Sequence, residues 1–302
     1  MAGLSGQRVA ITGATGLVGT ALGAALRARG HEVLVISRNP GPGGIRWNPS
    51  HGEIDLATLE GVDAIVHLAG ENLAGSRWTA ERKQLLRDSR VAITSWLAES
   101  LALLDRKPAV LIAASAIGIY GNRRDEMLDE SSAPGDDFLA ELVVNWEAAA
   151  DAAVQEGIRV VQPRFGIILS RDGGALARMV PPFRLGLGGP MGNGRQWMSW
   201  IAIDDIVGGI EHAIATGSLN GPVNFTSPNP VRNADFAHAL GAVLHRPAVI
   251  PLPAFALRLA FGEMADVALL ASQRVLPTKL LASGYVIRHT KIEAALETIL
   301  SP

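Results

Sequence analysis

The chain has 302 residues, room for one large domain or two ordinary ones. Its 48% hydrophobic and 19% charged residues allow a sizeable core and exclude disorder throughout, and a net charge of −2 lends no support to a nucleic-acid or anionic-membrane partner. Cysteine is absent, which excludes disulfides, cysteine-based zinc sites and thiol catalysis.

Residues 1–7 carry no apolar run of the kind that forms a secretory signal. Residues 9–12 are a compact β-like run, followed by a glycine-rich turn. Residues 17–29 then set Leu17, Ala21 and Ala25, with Leu22 and Leu26, along one helical face, and Gly30 is a helix stop. Residues 32–37 and 63–69 are the next strand candidates. Residues 79–104 form a long helical pattern that must break or bend, residues 109–115 a strongly apolar strand, residues 137–156 a helix and residues 158–162 a further strand. Near-continuous apolar strands separated by helices indicate a parallel sheet covered on both faces, since half-buried strands would alternate polar and apolar residues. The expected class is therefore α/β: a doubly wound parallel sheet over residues 1–170, completed by about residues 201–225, with a smaller mixed α/β lobe within residues 171–302. Gly and Pro concentrate between residues 173 and 194, which predicts a loop-rich crossing between the lobes. Residues 204–216 and 233–244 are helical, residues 222–225 β-like, and residues 291–300 a terminal helix. The apolar stretch at residues 252–271 is broken by Arg258, Glu263 and Asp266, so it does not qualify as a membrane span. The expectation is a soluble cytoplasmic protein.

The strongest motif runs from Thr12 to Gly19 as TGATGLVG, after a strand and at the opening of a helix. Gly13 permits a tight turn, Gly16 removes a side chain where backbone must approach a diphosphate, and Gly19 lets the helix pack close to the sheet. The helix start offers free N–H groups and partial positive charge. Gly13, Thr15, Gly16, Leu17, Val18 and Gly19 are thus candidate cofactor contacts, the alternative being a structural turn without a ligand. The G-x-x-G-x-x-G spacing resembles the turn of the extended short-chain dehydrogenase/reductase superfamily, whose Rossmann-type fold the α/β reading matches.

The second strand ends in Ser37-Arg38, with no carboxylate to bind the ribose hydroxyls of NAD. Arg38 can pair with a 2′-phosphate and Ser37 can add a hydrogen bond, which points to NADP(H); the alternative for Arg38 is a solvated loop residue. Leu68, Ala69, Gly70 and Glu71 follow the next strand, where the resemblance places the adenosine. Glu71 either reaches a hydroxyl or faces solvent, and His67 reads as a packed core residue.

Members of that superfamily use Tyr-x-x-x-Lys on one helix face, in which lysine lowers the tyrosine pKa and tyrosine transfers the proton. Here Ser115 to Gly121 is similar to the S-x-x-x-x-Y-G segment of sugar-nucleotide epimerases, but the pair is missing. The two tyrosines, Tyr120 and Tyr285, are followed four residues on by Arg124 and His289, and Phe138 and Leu142 take the expected positions. Arg90 stands where the superfamily often has Asn, and would orient a substrate anion or support Ser115. These departures, together with Pro163 to Gly166, Met198 to Asp205, Gly221 to Phe225 and Arg274 to Pro277, resemble an atypical NADP-binding, sugar-nucleotide-epimerase-like family with its own C-terminal domain of unassigned function.

The resemblance places Arg164, Phe165 and Gly166 near the nicotinamide. Ser115 would orient a carbonyl, with Tyr120, swinging in from a loop, or an ordered water as proton donor; the alternative is that Tyr120 packs or closes the loop. Trp197 and Trp200 would wall a substrate cleft or simply pack, and Arg195 would hold a phosphate or lie exposed. No metal spacing occurs among the histidines. A homodimer through paired helices is common in the superfamily. Two functions follow: an NADP(H)-dependent, epimerase-like oxidoreductase acting on an unidentified small molecule, or a non-catalytic NADPH-binding redox sensor or interaction protein.

Overall fold

A computed structural model describes residues 6–301, so most of the segment read for a signal, residues 1–5, lies outside the described residues. In chain order the strands of the main sheet are β1 (Arg8–Thr12), β2 (Glu32–Ser37), β3 (Ile45–Asn48), β4 (Glu53–Ile54), β5 (Ala64–His67), β6 (Val110–Ala113) and β7 (Ser115–Ala116). After β8 (Met127–Leu128), which pairs elsewhere, come β9 (Arg159–Phe165) and β13 (Gly221–Phe225) of the same sheet, with β10 (Ile167–Leu169), β11 (Trp197–Met198) and β12 (Trp200–Ala202) between them in the chain and outside that sheet. The sheet runs β13-β9-β6-β5-β1-β2-β3-β4, with β7 also on β9. Its pairings are parallel except β3 with β4.

Helices cover both faces, as continuous apolar strands require. These are α1 (Leu17–Ala28), α2 (Leu56–Leu59), α3 (Ala80–Arg87), α4 (Ile93–Ala102), α5 (Phe138–Ala148), α6 (Asp151–Gln155) and α8 (Ile203–Ala215), while α7 (Gly174–Arg184) packs away from this sheet. The two-residue period of the strands sorts their side chains between two cores. Ile11 and Val66 pack with Leu22 and Leu26 of α1 and Ile206 and Ile210 of α8. Ala10 and Ile65 pack on the opposite face with Leu97 and Leu101 of α4 and Ala153 of α6. This is a Rossmann-type doubly wound sheet.

The remaining chain adds β14 (Val231–Arg232), α9 (Asn233–Val243), α10 (Ala254–Phe261), β15 (Arg274–Val275), α11 (Thr278–Ala282) and α12 (Ile292–Leu300). Leu176 and Phe183 of α7, Trp200, Phe236 and Leu240 of α9 and Leu296 of α12 form a separate core there. Among the described residues no helix is long and apolar enough to cross a membrane.

The segment between 173 and 194 departs from the expected loop. Residues 174–184 are helical despite Pro181 and Pro182. Leu176, Val180 and Phe183 recur at helical spacing and are buried, and that burial outweighs the two amides that proline cannot supply. The long pattern at 79–104 does bend, through a π-helical turn at Asp88–Ala92 between α3 and α4. The helix expected over 137–156 splits into α5 and α6.

Gly19 lies inside α1, where alanine would ordinarily favour the helix. A Cβ there would meet backbone of the preceding turn: the Gly13 carbonyl oxygen, and the Ala14 Cα at 2.8 Å. Backbone on both sides cannot step aside, so Gly19→Ala is expected to destabilise the fold by about 2 kcal/mol. Urea denaturation tests this, and an unchanged or raised midpoint contradicts it.

Candidate functional site

The chain reverses sharply where β1 ends. Gly13 has φ +67°, and a Cβ on it would sit 2.8 Å from the Leu68 carbonyl carbon and 2.9 Å from the Ala69 nitrogen. The turn closes with Gly16 N donating to the Gly13 carbonyl at 2.9 Å. Gly16 is the N-cap of α1, so no side chain caps this end, and its first turn contains no acidic residue. The leading amides of α1, at Leu17, Val18 and Gly19, therefore face an uncompensated positive helix end. Thr15 and Gly16 are exposed at the tip.

Beside it, β2 pairs in register with β1 as far as Thr12 and Ile36, which brings Ser37 and Arg38 to the same edge. Arg38 is exposed, and no carboxylate pairs with it among the described residues. Uncapped amides and an unpaired guanidinium at neighbouring strand ends form a site for a polyanion, and the residues present fit a dinucleotide carrying an extra phosphate.

A buried polar chain ties the turn to the next strand. Thr12 Oγ1 accepts from the amides of Leu68 at 3.1 Å and Ala69 at 3.2 Å, and lies 2.7 Å from His67 Nδ1. With those two amides on its oxygen, Thr12 donates its proton to Nδ1, and Nε2–H then reaches Thr94 Oγ1 at 3.1 Å. Trp146 Nε1 donates to the same Thr94 oxygen at 3.0 Å. Burial pushes His67 down to about 4, so the imidazole is neutral at physiological pH, consistent with the packed role read from the sequence.

Ser115 and Arg164 are register partners in the pairing of β7 with β9. Both meet Glu147 of α5. Ser115 Oγ donates to Glu147 Oε1 at 2.6 Å, while Arg164 Nε and Nη2 grip the carboxylate as a fork, each at 2.8 Å. Arg164 Nη1 donates to the Tyr120 hydroxyl at 2.9 Å, which donates to Asn224 Oδ1 at 2.8 Å. Burial disfavours the charged guanidinium, but the hydrogen bonds that it donates to Glu147 and Tyr120, with the Glu147 charge, outweigh it and hold Arg164 above the ordinary arginine value. Glu147 and Asn224 were not singled out from the sequence. The signal available for Glu147 was a carboxylate directly after Trp146 on a helix whose Phe138, Leu142 and Trp146 are buried.

Several candidates sit differently from expectation. Tyr120 is no swinging loop residue: it ends a 3₁₀ turn at Ile117–Tyr120 and is fully buried. Burial raises its pKa, the reverse of what a proton-donating tyrosine requires. Its surroundings match the packing alternative. Trp200 walls no cleft; it is fully buried in the C-terminal core, with Nε1 donating to the Asn229 carbonyl at 3.1 Å. Trp197 is half-buried between the guanidinium groups of Arg232 and Arg274, 4.1 and 4.5 Å from its ring centre.

Arg90 does not reach Ser115. It is buried in the π-turn under Gly70, its Nη2 donating to the Glu71 carbonyl at 2.7 Å, and burial lowers it to about 10. Glu71 pairs with Arg82 at 3.1 Å. Phe165 packs edge-on to Phe225, and Gly166 N donates to the Phe225 carbonyl at 3.0 Å. Arg195 is exposed and, with Arg124, Arg232 and Arg258, lines an open polar cavity of about 510 Å³.

The sequence matches the NAD dependent epimerase/dehydratase family over residues 9–224 and a domain of unknown function, DUF1731, over residues 252–299. It is 48% identical to the epimerase family protein Mb2239 of Mycobacterium bovis, over 95% of this chain and 96% of that protein. It is 40% identical to the epimerase family protein SDR39U1 of Homo sapiens, over 98% of this chain and all of that one. The crystal structure of human SDR39U1 (isoform 2) with NADPH superposes with a TM-score of 0.89 at 39% identity, covering 97% of this chain and 99% of that chain.

Two predictions follow from these buried networks. Glu147 and Arg164 expose only 11% and 7% of their side chains, so Glu147→Ala strands a buried guanidinium and should lower stability by about 3–5 kcal/mol, with Arg164→Met on the same chain recovering part of it. A loss below about 1 kcal/mol in denaturant unfolding contradicts the network. His67 titrates lower folded than unfolded, so its contribution is fully present above the ordinary value of 6.5 and fades as pH falls toward about 4. By about pH 4.5 about 2–3 kcal/mol should be gone. An NMR titration in which the His67 ring protonates near its ordinary value contradicts this.

Proposed function

The chain belongs to the NAD dependent epimerase/dehydratase family, and on that premise we propose that it is an NADP(H)-binding, epimerase-like oxidoreductase acting on a small molecule. The observation that carries the reading is the pairing of an uncapped helix start at Gly16 with the unpaired guanidinium of Arg38 at the neighbouring strand end. The amides of Leu17, Val18 and Gly19 would hold the diphosphate, and Arg38, aided by Ser37, the 2′-phosphate. The NADPH named for human SDR39U1 supports this choice of cofactor. When bound, the nicotinamide supplies or accepts a hydride.

Substrate would lie between the dinucleotide domain, residues 1–170 completed by 201–225, and the lobe formed by the rest of residues 171–302. In this reading Ser115, whose own proton is on Glu147, orients a substrate hydroxyl by accepting from it. It is itself positioned by Glu147, which Arg164 fixes by a two-point grip. With Phe138 and Leu142 at the positions of the tyrosine and lysine, this reading leaves the transferred proton to water.

One observation favours a second reading, a non-catalytic NADPH-binding sensor or interaction protein. Phe138 and Leu142 are buried in packing roles, and Tyr120 is sealed in the core. Following NADPH absorbance with a panel of carbonyl compounds and sugar nucleotides separates the two: turnover supports the enzyme, and tight binding without oxidation supports the sensor.

The cofactor assignment is tested by Arg38→Ala. A charge-assisted contact contributing about 1.5–3 kcal/mol implies roughly ten- to a hundredfold weaker NADPH binding with NADH affinity unchanged. Fluorescence titration showing no loss for NADPH, or equal affinity of the parent for NADH, contradicts it.

A further inference from the structure

Between the start of α7, residues 187–191 and α10 lies a cavity of about 560 Å³, within the range of small-molecule sites. Met179 and Phe183 of α7, Phe236 of α9, Leu257 and Phe261 of α10, and Met264 form its walls. Its mouth is apolar as well: Leu187 is 59% exposed, Ile250 47% and Leu252 45%. Contiguous exposed apolar surface of this kind marks a ligand or partner site rather than ordinary protein exterior. Thioether walls adapt to irregular apolar shapes.

Three polar side chains are in the lining: Asn233 is buried, its Oδ1 accepting from Met191 N at 2.7 Å, and the other two lie at the end toward the dinucleotide turn. Arg178 and Asn72 line the cavity there. Among the described residues no carboxylate pairs with Arg178, whose one contact is a long 3.5 Å approach of Nη1 to the Ala74 carbonyl. That end adjoins the dinucleotide turn: Gly174, also in the lining, lies so close to Leu17 of α1 that an added Cβ would be 3.3 Å from Cδ2. Asn72 directly follows the β5 segment at residues 68–71.

We propose that this cavity binds the substrate, and that the substrate is a mainly apolar molecule with one anionic end held by Arg178, not a sugar nucleotide. The proposal rests on the NADP(H) reading above for the word substrate, and on the cavity alone for the ligand class. Sugar hydroxyls and a nucleobase must find hydrogen-bond partners when they leave water, and phenyl, thioether and aliphatic walls offer none. An alkyl or aryl body matches those walls, and a carboxylate matches the unpaired guanidinium.

The test uses the full chain saturated with NADPH, with 1-anilinonaphthalene-8-sulfonate as reporter and dodecanoate, dodecanol and UDP-glucose as competitors. Dodecanoate is expected to displace the reporter and UDP-glucose to leave it bound. Leu187→Asp, at an exposed position, should weaken dodecanoate at least tenfold, and Arg178→Ala should weaken dodecanoate tenfold while sparing dodecanol. Displacement by UDP-glucose but not dodecanoate, or unaltered dodecanoate affinity in both variants, overturns the proposal. NADPH affinity, measured on the same samples, reports folding of the variants. Loss of NADPH binding by the parent would instead overturn the cofactor reading, while reporter displacement still decides the ligand class.

Discussion

The architecture depends on how closely backbone packs on backbone at the end of β1. Gly13 lies against the Leu68–Ala69 peptide, and Gly19 of α1 lies against Gly13. Side chains at either position would hold the helix off the sheet. With the gap closed, α1 begins immediately beyond the strand end, its first amides uncapped and aimed at the crevice. Thr12 locks the arrangement from below by satisfying two amides of the neighbouring segment and donating a hydrogen bond to a neutral histidine. The positive end of the helix is thus a product of sheet packing.

The second organising feature is ionic. A tyrosine–lysine pair places a cation beside a phenol to make it more acidic. This chain puts its cation, Arg164, against both a carboxylate and a phenol, in a buried setting where Tyr120 becomes less acidic. The arrangement links α5, β7, β9 and β13 through Glu147, Ser115, Arg164 and Asn224, so it fixes the orientation of Ser115 with four elements at once. The orientation of Ser115 is therefore set by packing, through its hydrogen bond to Glu147.

The parts legible in the sequence are those encoded over short distances. The strand at 9–12, the glycine spacing and the helix at 17–29 lie within one βα unit, and their pattern reads directly. The bend in 79–104 was expected, though its π-turn was not. The helix at 174–184 was hidden because two prolines and flanking glycines obscured the buried spacing of Leu176, Val180 and Phe183. The Glu147–Arg164 and His67–Thr94 partnerships join residues 17 and 27 positions apart, and the packing of α5 and α4 on the sheet brings them together. Tyr120 and Trp200 were ambiguous for a related reason: an aromatic residue in a loop-like segment reads alike whether it lines a cleft or fills a core.

The glycine turn lies beside the strand end that carries Arg38 and, through Leu17, against Gly174 in the lining of the C-terminal cavity. All of it presumes that the turn is a diphosphate cradle. The most direct measurement is a crystal structure of this chain grown with NADPH. The account predicts the diphosphate on the amides of Leu17 and Val18, with the 2′-phosphate within hydrogen-bond reach of Arg38. A dinucleotide bound elsewhere, or a turn that stays closed to saturating NADPH, would contradict it.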